Sequence, residues 1–250
     1  MRRFRVRLGS LFGVPLWIHP SWVLVVGLAV RAFTSAFGDA LPHLPLAERL
    51  AMAVATGTMF FGCLVLHEVA HAVVARRFGV RVRGITLFLL GGVAEIDGEI
   101  TTPGAEFAVA LAGPATSIAL GSAFLLVSGR LAGWAGGREV ALALAAVNLG
   151  VAAFNLVPGL PLDGGRLLRA ALWRRSGSFV RATRVASLGG VAVATLLLVV
   201  GLTIAVRGDA IGLWYLPMGV FIWFLARASG RASPPAEGRA LALTREGEAA

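Results

Sequence analysis

LAMAVATGTMFFGCLVLHEVAHAVVARRF, residues 50–78, is the stretch that decides the fold. It carries no charge from Leu50 to Leu66 and closes on Arg76 and Arg77. A helix needs about 20 apolar residues to cross the hydrocarbon core of a bilayer, and this run with the turn that follows supplies them. Three ionisable groups sit near its end: His67, Glu68 and His71. Arg76 is eight residues past Glu68, which is about 12 Å along a helix. The carboxyl group therefore falls inside the bilayer rather than at its edge. An ionised carboxylate there costs at least about 2.5–3.5 kcal/mol, so intramembrane ionisable side chains are read as functional by default.

Working outward, charge-free runs recur at Phe107–Gly129, Val140–Leu162, Val185–Val206 and Ala210–Ala226, each bracketed by charge. A further run, Pro20–Gly38, is interrupted only by Arg31, which can snorkel to the headgroups. The expected fold is an all-α polytopic membrane protein with about six transmembrane helices, at approximately 20–38, 50–75, 104–128, 139–158, 184–206 and 210–227. Composition agrees: 57% of the 250 residues are hydrophobic, 14% are charged and the mean hydropathy is +0.81. Those values exclude a disordered chain, a coiled coil and an ordinary soluble domain. Segment 7–19 is too long and turn-rich for the front of a signal peptide. It reads instead as the second of two short strands, near Phe4–Leu8 and Val14–Ile18, and the turn between them. Residues 80–100, VRVRGITLFLLGGVAEIDGEI, read as a membrane-associated β-hairpin broken at Gly91 and Gly92. Residues 1–19 are expected to be N-terminal cytoplasmic strands, 20–227 the transmembrane core, and 228–250 a flexible cytoplasmic tail.

All 23 basic residues are arginine, and the net charge is +10. A nucleic-acid partner is not expected, because these arginines bracket apolar runs instead of covering a soluble surface. With the N-terminus in the cytoplasm, 18 fall inside and five outside, namely Arg31, Arg49, Arg130, Arg138 and Arg207. This positive-inside bias predicts a multi-pass protein of the cell (inner or plasma) membrane with both termini cytoplasmic. The lone cysteine, Cys63, rules out an intramolecular disulfide.

His67 and His71, four residues apart, share one face of a helix. Each can offer an imidazole nitrogen to a zinc ion, and Glu68 beside them is placed to take a proton from water activated there. Catalytic zinc takes a third protein ligand. Among Asp39, Asp97, Asp163 and Asp209, only Asp163 follows a long apolar run, in NLVPGLPLDGGR, residues 155–166. Pro158, Gly159 and Pro161 break the helix there, and non-helical backbone at membrane depth must be covered by protein or line a wet cavity. The competing role for Asp163 is the N-cap of a basic helix starting near Gly164. Cys63, one turn before His67, reads as a small buried hydrophobe. Asn148 and the small-residue stripe Ala110, Gly113, Ser117 and Gly121 read as bundle packing. His19 and His43 read as interfacial.

These paired motifs resemble those of the site-2 proteases, zinc metalloproteases that cut within the membrane. The family pairs HExxH, here His67–His71, with NxxP, here Asn155–Pro158, and a downstream LDG, here Leu162–Gly164. Gly13–His19, Ala112–Pro114 and the glycine-rich 84–98 segment fit as well, so the resemblance covers about residues 5–225. It implies one zinc ion held by His67, His71 and Asp163, with Glu68 as the catalytic base and Asn155 holding the substrate or the oxyanion. It also implies substrates that are single-span membrane proteins: anti-sigma factors, membrane-tethered regulators or signal-peptide remnants. The loop at 130–139 is too short for a PDZ domain. The resemblance is thus to the branch that often adds CBS domains, of which none is expected here. Two other readings use the same residues. A zinc transporter needs polar groups along a path to the outer face, and the fifth and sixth runs hold almost none. An inactive scaffold has no need of a buried general base.

Overall fold

The computed structural model describes residues 5–88, 91–97, 100–209 and 212–230. In chain order these form β1 (Val6–Leu11), β2 (Val14–Ile18), α1 (Trp22–Ala40), α2 (Leu46–Arg77), β3 (Arg81–Phe88), β4 (Gly91–Asp97), α3 (Pro103–Arg130), α4 (Ala135–Asn155), α5 (Asp163–Ser176), α6 (Phe179–Val206) and α7 (Gly212–Ser229). The helical, polytopic class read from the charge-free runs is the class observed. Five described helices, α1, α2, α3, α4 and α6, are long and apolar enough to cross a membrane. The sixth expected span is also a helix, α7, but it has 18 residues with Pro217 inside and is not among the five. The expected tail lies, from residue 231 on, outside the described residues.

The chain divides into two compact units. The first holds residues up to Arg76 together with Arg81–Asp97 and Ala112–Ala153. Its strands make one sheet in the order β1-β2-β3-β4. The N-terminal strands and the later hairpin, read separately from sequence, are thus joined, through parallel pairing of Leu16, Trp17 and Ile18 with Ile85, Thr86 and Leu87. Val82, Ile85 and Leu87 are buried. The odd step between 82 and 85 is made by a bulge at Val82/Gly84, which resets the two-residue alternation of faces. Gly91 and Gly92 are not the turn of the hairpin. Phe88 pairs with Gly91 and Leu87 with Gly92, so both glycines open β4. The β1–β2 turn is Phe12–Gly13, with φ of 48° and 73°. Two positive values match the backbone twist that a two-residue hairpin loop requires. Arg76, at the end of α2, donates to the Phe12 and Gly13 carbonyl oxygens at 2.8 and 2.9 Å. A residue read only as flanking charge therefore also ties this turn to the histidine-bearing helix. Further along α2, Phe61 packs on Trp22 of α1 with ring centroids 4.2 Å apart.

The second unit holds Arg77–Val80, Gly98–Leu111 and the chain from Phe154 on. After α4 ends, residues 156–162 are non-helical, as the prolines predict. This segment is held by main chain packed on main chain. A Cβ on Gly164 would strike the Leu156 and Val157 carbonyls, and one on Gly165 would strike Gly159 and Leu160. On the other side Gly159 lies against Gly189 and Gly190 of α6, and the Leu160 N–H donates to the Ala186 carbonyl at 3.0 Å. Glycine is needed here because the two backbones approach closely.

The same unit contains an ion pair that the sequence reading did not find. Glu106, in the first turn of α3, is 2% exposed and accepts from Arg169 of α5, at 2.8 Å from Nε and also from Nη2. The Arg169 guanidinium also stacks over Phe179, 4.9 Å from the ring centroid. Removing one partner of a buried pair leaves the other charge uncompensated, at a cost of roughly 3–5 kcal/mol. Arg169 keeps 17% of its side chain exposed, so the low end applies. Glu106→Ala should thus lower stability by about 3 kcal/mol, read from unfolding curves in a mild detergent.

Candidate metal centre

α2 carries His67 and His71 one turn apart, 4% and 8% exposed. Their rings meet edge to face with centroids 4.9 Å apart, and the two Nε2 atoms are 3.3 Å from each other. Two imidazole lone pairs so placed repel unless a proton or a cation joins them. The far side of His67 is fixed: its Nδ1 lies 2.9 Å from Ser117 Oγ on α3. With the Nδ1–H donated to that hydroxyl, Nε2 keeps its lone pair, the tautomer a metal requires.

α3 can come this close because residue 113 is glycine. A Cβ there would clash with Nε2 of both histidines. The stripe read from sequence as packing thus divides in two. Gly121 does pack, its face against Leu149 and the Ala145 carbonyl of α4. Gly113 and Ser117 instead touch the imidazoles. The signal available in the sequence was their four-residue spacing, matching that of the histidines. A group that hydrogen-bonds the other ring nitrogen of a metal-bound histidine is typically worth 10–100-fold in affinity. Ser117→Ala should therefore weaken zinc binding by about that factor without altering the helical content, as a zinc titration monitored alongside circular dichroism would show.

Asp163 is the first residue of α5 and is 8% exposed. The N-cap is Leu162, with extended backbone and no side-chain cap bond, so the capping role weighed for Asp163 is not the one it has. Its carboxylate stands at the positive end of the helix dipole. The glycines that follow let residues 156–162 fold back over this turn, which explains the run Asp163-Gly164-Gly165.

His67 and His71, in the first unit, and Asp163, in the second, are each buried. Imidazole nitrogens and a carboxylate make a donor set of the kind zinc takes. Glu68 lies in the first unit with the histidines. It follows His67 on α2 and is half-buried. Asn155 is the last residue of α4 and is also half-buried. Cys63 is buried, outside the donor set. The Asn148 amide donates within its own helix to the Leu144 carbonyl at 2.8 Å, in keeping with a packing role. His19 bonds to Ser21 at 2.8 Å at the start of α1, away from the donor set.

The chain is similar to known proteins over most of its length. The family model for Peptidase family M50 matches residues 55–133 and 129–199. The chain is 41% identical over 229 residues to Rip3, a proposed zinc metalloprotease of Mycobacterium tuberculosis, covering 90% of this chain and 58% of that one. It is 35% identical over 236 residues to sll0528, a proposed zinc metalloprotease of Synechocystis sp., covering 93% and 60%. The chain therefore spans about three fifths of the length of these relatives. Among solved structures, the site-2 protease from Methanocaldococcus jannaschii superposes with a TM-score of 0.60 at 26% identity, over 92% of this chain and 97% of that one.

Proposed function

Because the chain belongs to peptidase family M50, the site-2 proteases, we propose that it is a zinc-dependent endopeptidase cutting single-span membrane proteins in or near their transmembrane segment. One observation carries the reading: two buried imidazoles aim their Nε2 atoms at each other, 3.3 Å apart, in a space that Gly113 keeps open. In this reading His67, His71 and Asp163 hold one zinc ion. When bound, zinc supplies a Lewis acid that makes water nucleophilic near neutral pH.

The other roles fall to the chain's own groups. Glu68 accepts the proton of the attacking water and returns it to the leaving amine. Asn155, whose amide both donates and accepts, holds the substrate backbone or the oxyanion. A helical substrate hides its carbonyls in hydrogen bonds, so it has to be drawn out before cleavage. Among the described residues β4 has a strand neighbour on one side only, and an extended segment adding to that edge gains the bonds it gave up on unwinding. Anti-sigma factors, membrane-tethered regulators and signal-peptide remnants are the substrate types that fit. The arginine bias puts the protein in the cell membrane with both termini cytoplasmic.

The test is a purified preparation whose zinc content is measured and then removed with a chelator. A membrane-embedded single-span substrate should be cut within or beside its span by the zinc-loaded form, and cutting should stop on chelation and return with zinc. Cleavage that persists after complete zinc removal, or none from a fully loaded protein on a panel of single-span substrates, overturns the reading.

A further inference from the structure

α6 and α7 pack antiparallel: Gly201 lies against Gly212 and Tyr215, Gly219 against Leu198, and Gly190 against Ala226. Arg184, early in α6, and Arg227, late in α7, therefore come to the same end of the pair. A groove of about 310 Å³ opens between them. Its polar lining is Arg184, Arg227 and Ser187, and among the described residues no acidic one lines it. Neither arginine has an acidic partner among the described residues. The Arg227 guanidinium is steadied by Trp223, 4.3 Å from the ring centroid.

Ser187 is the telling residue. Thr195 and Thr203 on the same helix donate to the carbonyls of Val191 and Val199, four residues back, at 2.9 and 2.8 Å. Ser187 is 6% exposed, yet among the described residues its Oγ has no hydrogen-bond partner, and it lines the groove. A buried hydroxyl without a partner carries a desolvation cost, which a ligand accepting its proton would remove. Below the polar end, the wall continues along α6 as Leu188, which is 63% exposed, and Val191.

We propose that this groove binds the phosphate of an anionic glycerophospholipid, with Arg184, Arg227 and Ser187 on the phosphate oxygens and an acyl chain along Leu188 and Val191. Two cations and a donor with no opposing carboxylate select a phosphate, and basic pockets between membrane helices are recurring sites for such headgroups. Tryptophan and arginine at a helix end belong at headgroup level. A free phosphate shares the polar chemistry but leaves the exposed apolar wall uncovered, which favours the lipid. The inference is independent of the proteolytic reading.

Native mass spectrometry of the full chain in a neutral detergent tests it, with dioleoylphosphatidylglycerol and dioleoylphosphatidylcholine supplied in equal amounts. The wild type should retain the glycerol lipid in preference. Each arginine near an anionic headgroup strengthens attachment by roughly fivefold, so Arg184→Gln/Arg227→Gln should lose about 30-fold. Arg207→Gln, at the opposite end of α6, should lose nothing. Ser187→Ala, which removes no charge, should weaken retention several-fold and guards against a double variant that fails to fold. Equal retention of both lipids by the wild type, or undiminished retention by the folded double variant and by Ser187→Ala, overturns the proposal. So does displacement of the lipid by millimolar inorganic phosphate alone, which would make the site one for a soluble anion.

Discussion

Glu68→Gln should leave zinc bound at the wild-type level and slow cleavage by about 10²–10⁴-fold, the usual range for loss of a positioned acid–base group. The residue stands next to His67 on α2 and is not one of the three proposed zinc ligands, so the cation has no need of it. Glutamine has nearly the same shape and keeps hydrogen-bonding capacity. What it loses is the ability to take up a proton at neutral pH. Zinc content and cleavage rate must therefore be measured on the same preparations. A variant that cuts at the wild-type rate would remove Glu68 from the chemistry. A variant that has lost its zinc would make Glu68 a ligand instead of a base.

Gly113→Ala should empty the centre, with zinc affinity falling by more than about 100-fold, beyond the range that loss of a supporting partner produces. One methyl group added at residue 113 would overlap the Nε2 atoms of both His71 and His67, so the imidazoles or α3 must move. Either movement breaks the convergence that a tetrahedral site needs. Gly121→Ala, two turns further along the same helix, is the matched comparison. Its methyl would press on Leu149 and the Ala145 carbonyl, which costs packing energy of about 1–3 kcal/mol. Zinc affinity should survive that change. If the two alanine variants proved alike in zinc binding, close approach of α3 would not be what shapes the centre.

Much of this architecture was legible because it is written locally. Long charge-free runs mark α1 to α4 and α6, since bilayer thickness sets their length. The His67/Glu68/His71 pattern is confined to one helical turn, and Asp163 stood out as the one aspartate after an apolar run. What escaped the sequence depends on residues far apart in the chain. Ser117 reaches His67 across 50 positions, and Glu106 meets Arg169 across 63. No periodicity announces such pairs. Gly91 and Gly92 misled for a different reason. They mark turns by their freedom of φ, but here they begin a strand, and Phe88 and Gly91 are already paired. Asp163 shows the limit of end-of-helix rules. Its capping role and its place as first helical residue differ by one position, too fine a distinction for the sequence to resolve.

The joint between residues 156–162, α5 and α6 has one more implication. Gly159, Gly164, Gly165, Gly189 and Gly190 are each faced by backbone atoms. Where side chains interlock, an enlarged residue can be accommodated by shrinking its neighbour. Here each glycine meets main chain, which every residue carries, so a second-site suppressor has nothing to trim. A lineage can change these positions only by rebuilding the whole crossing, and drift there is shut off one glycine at a time.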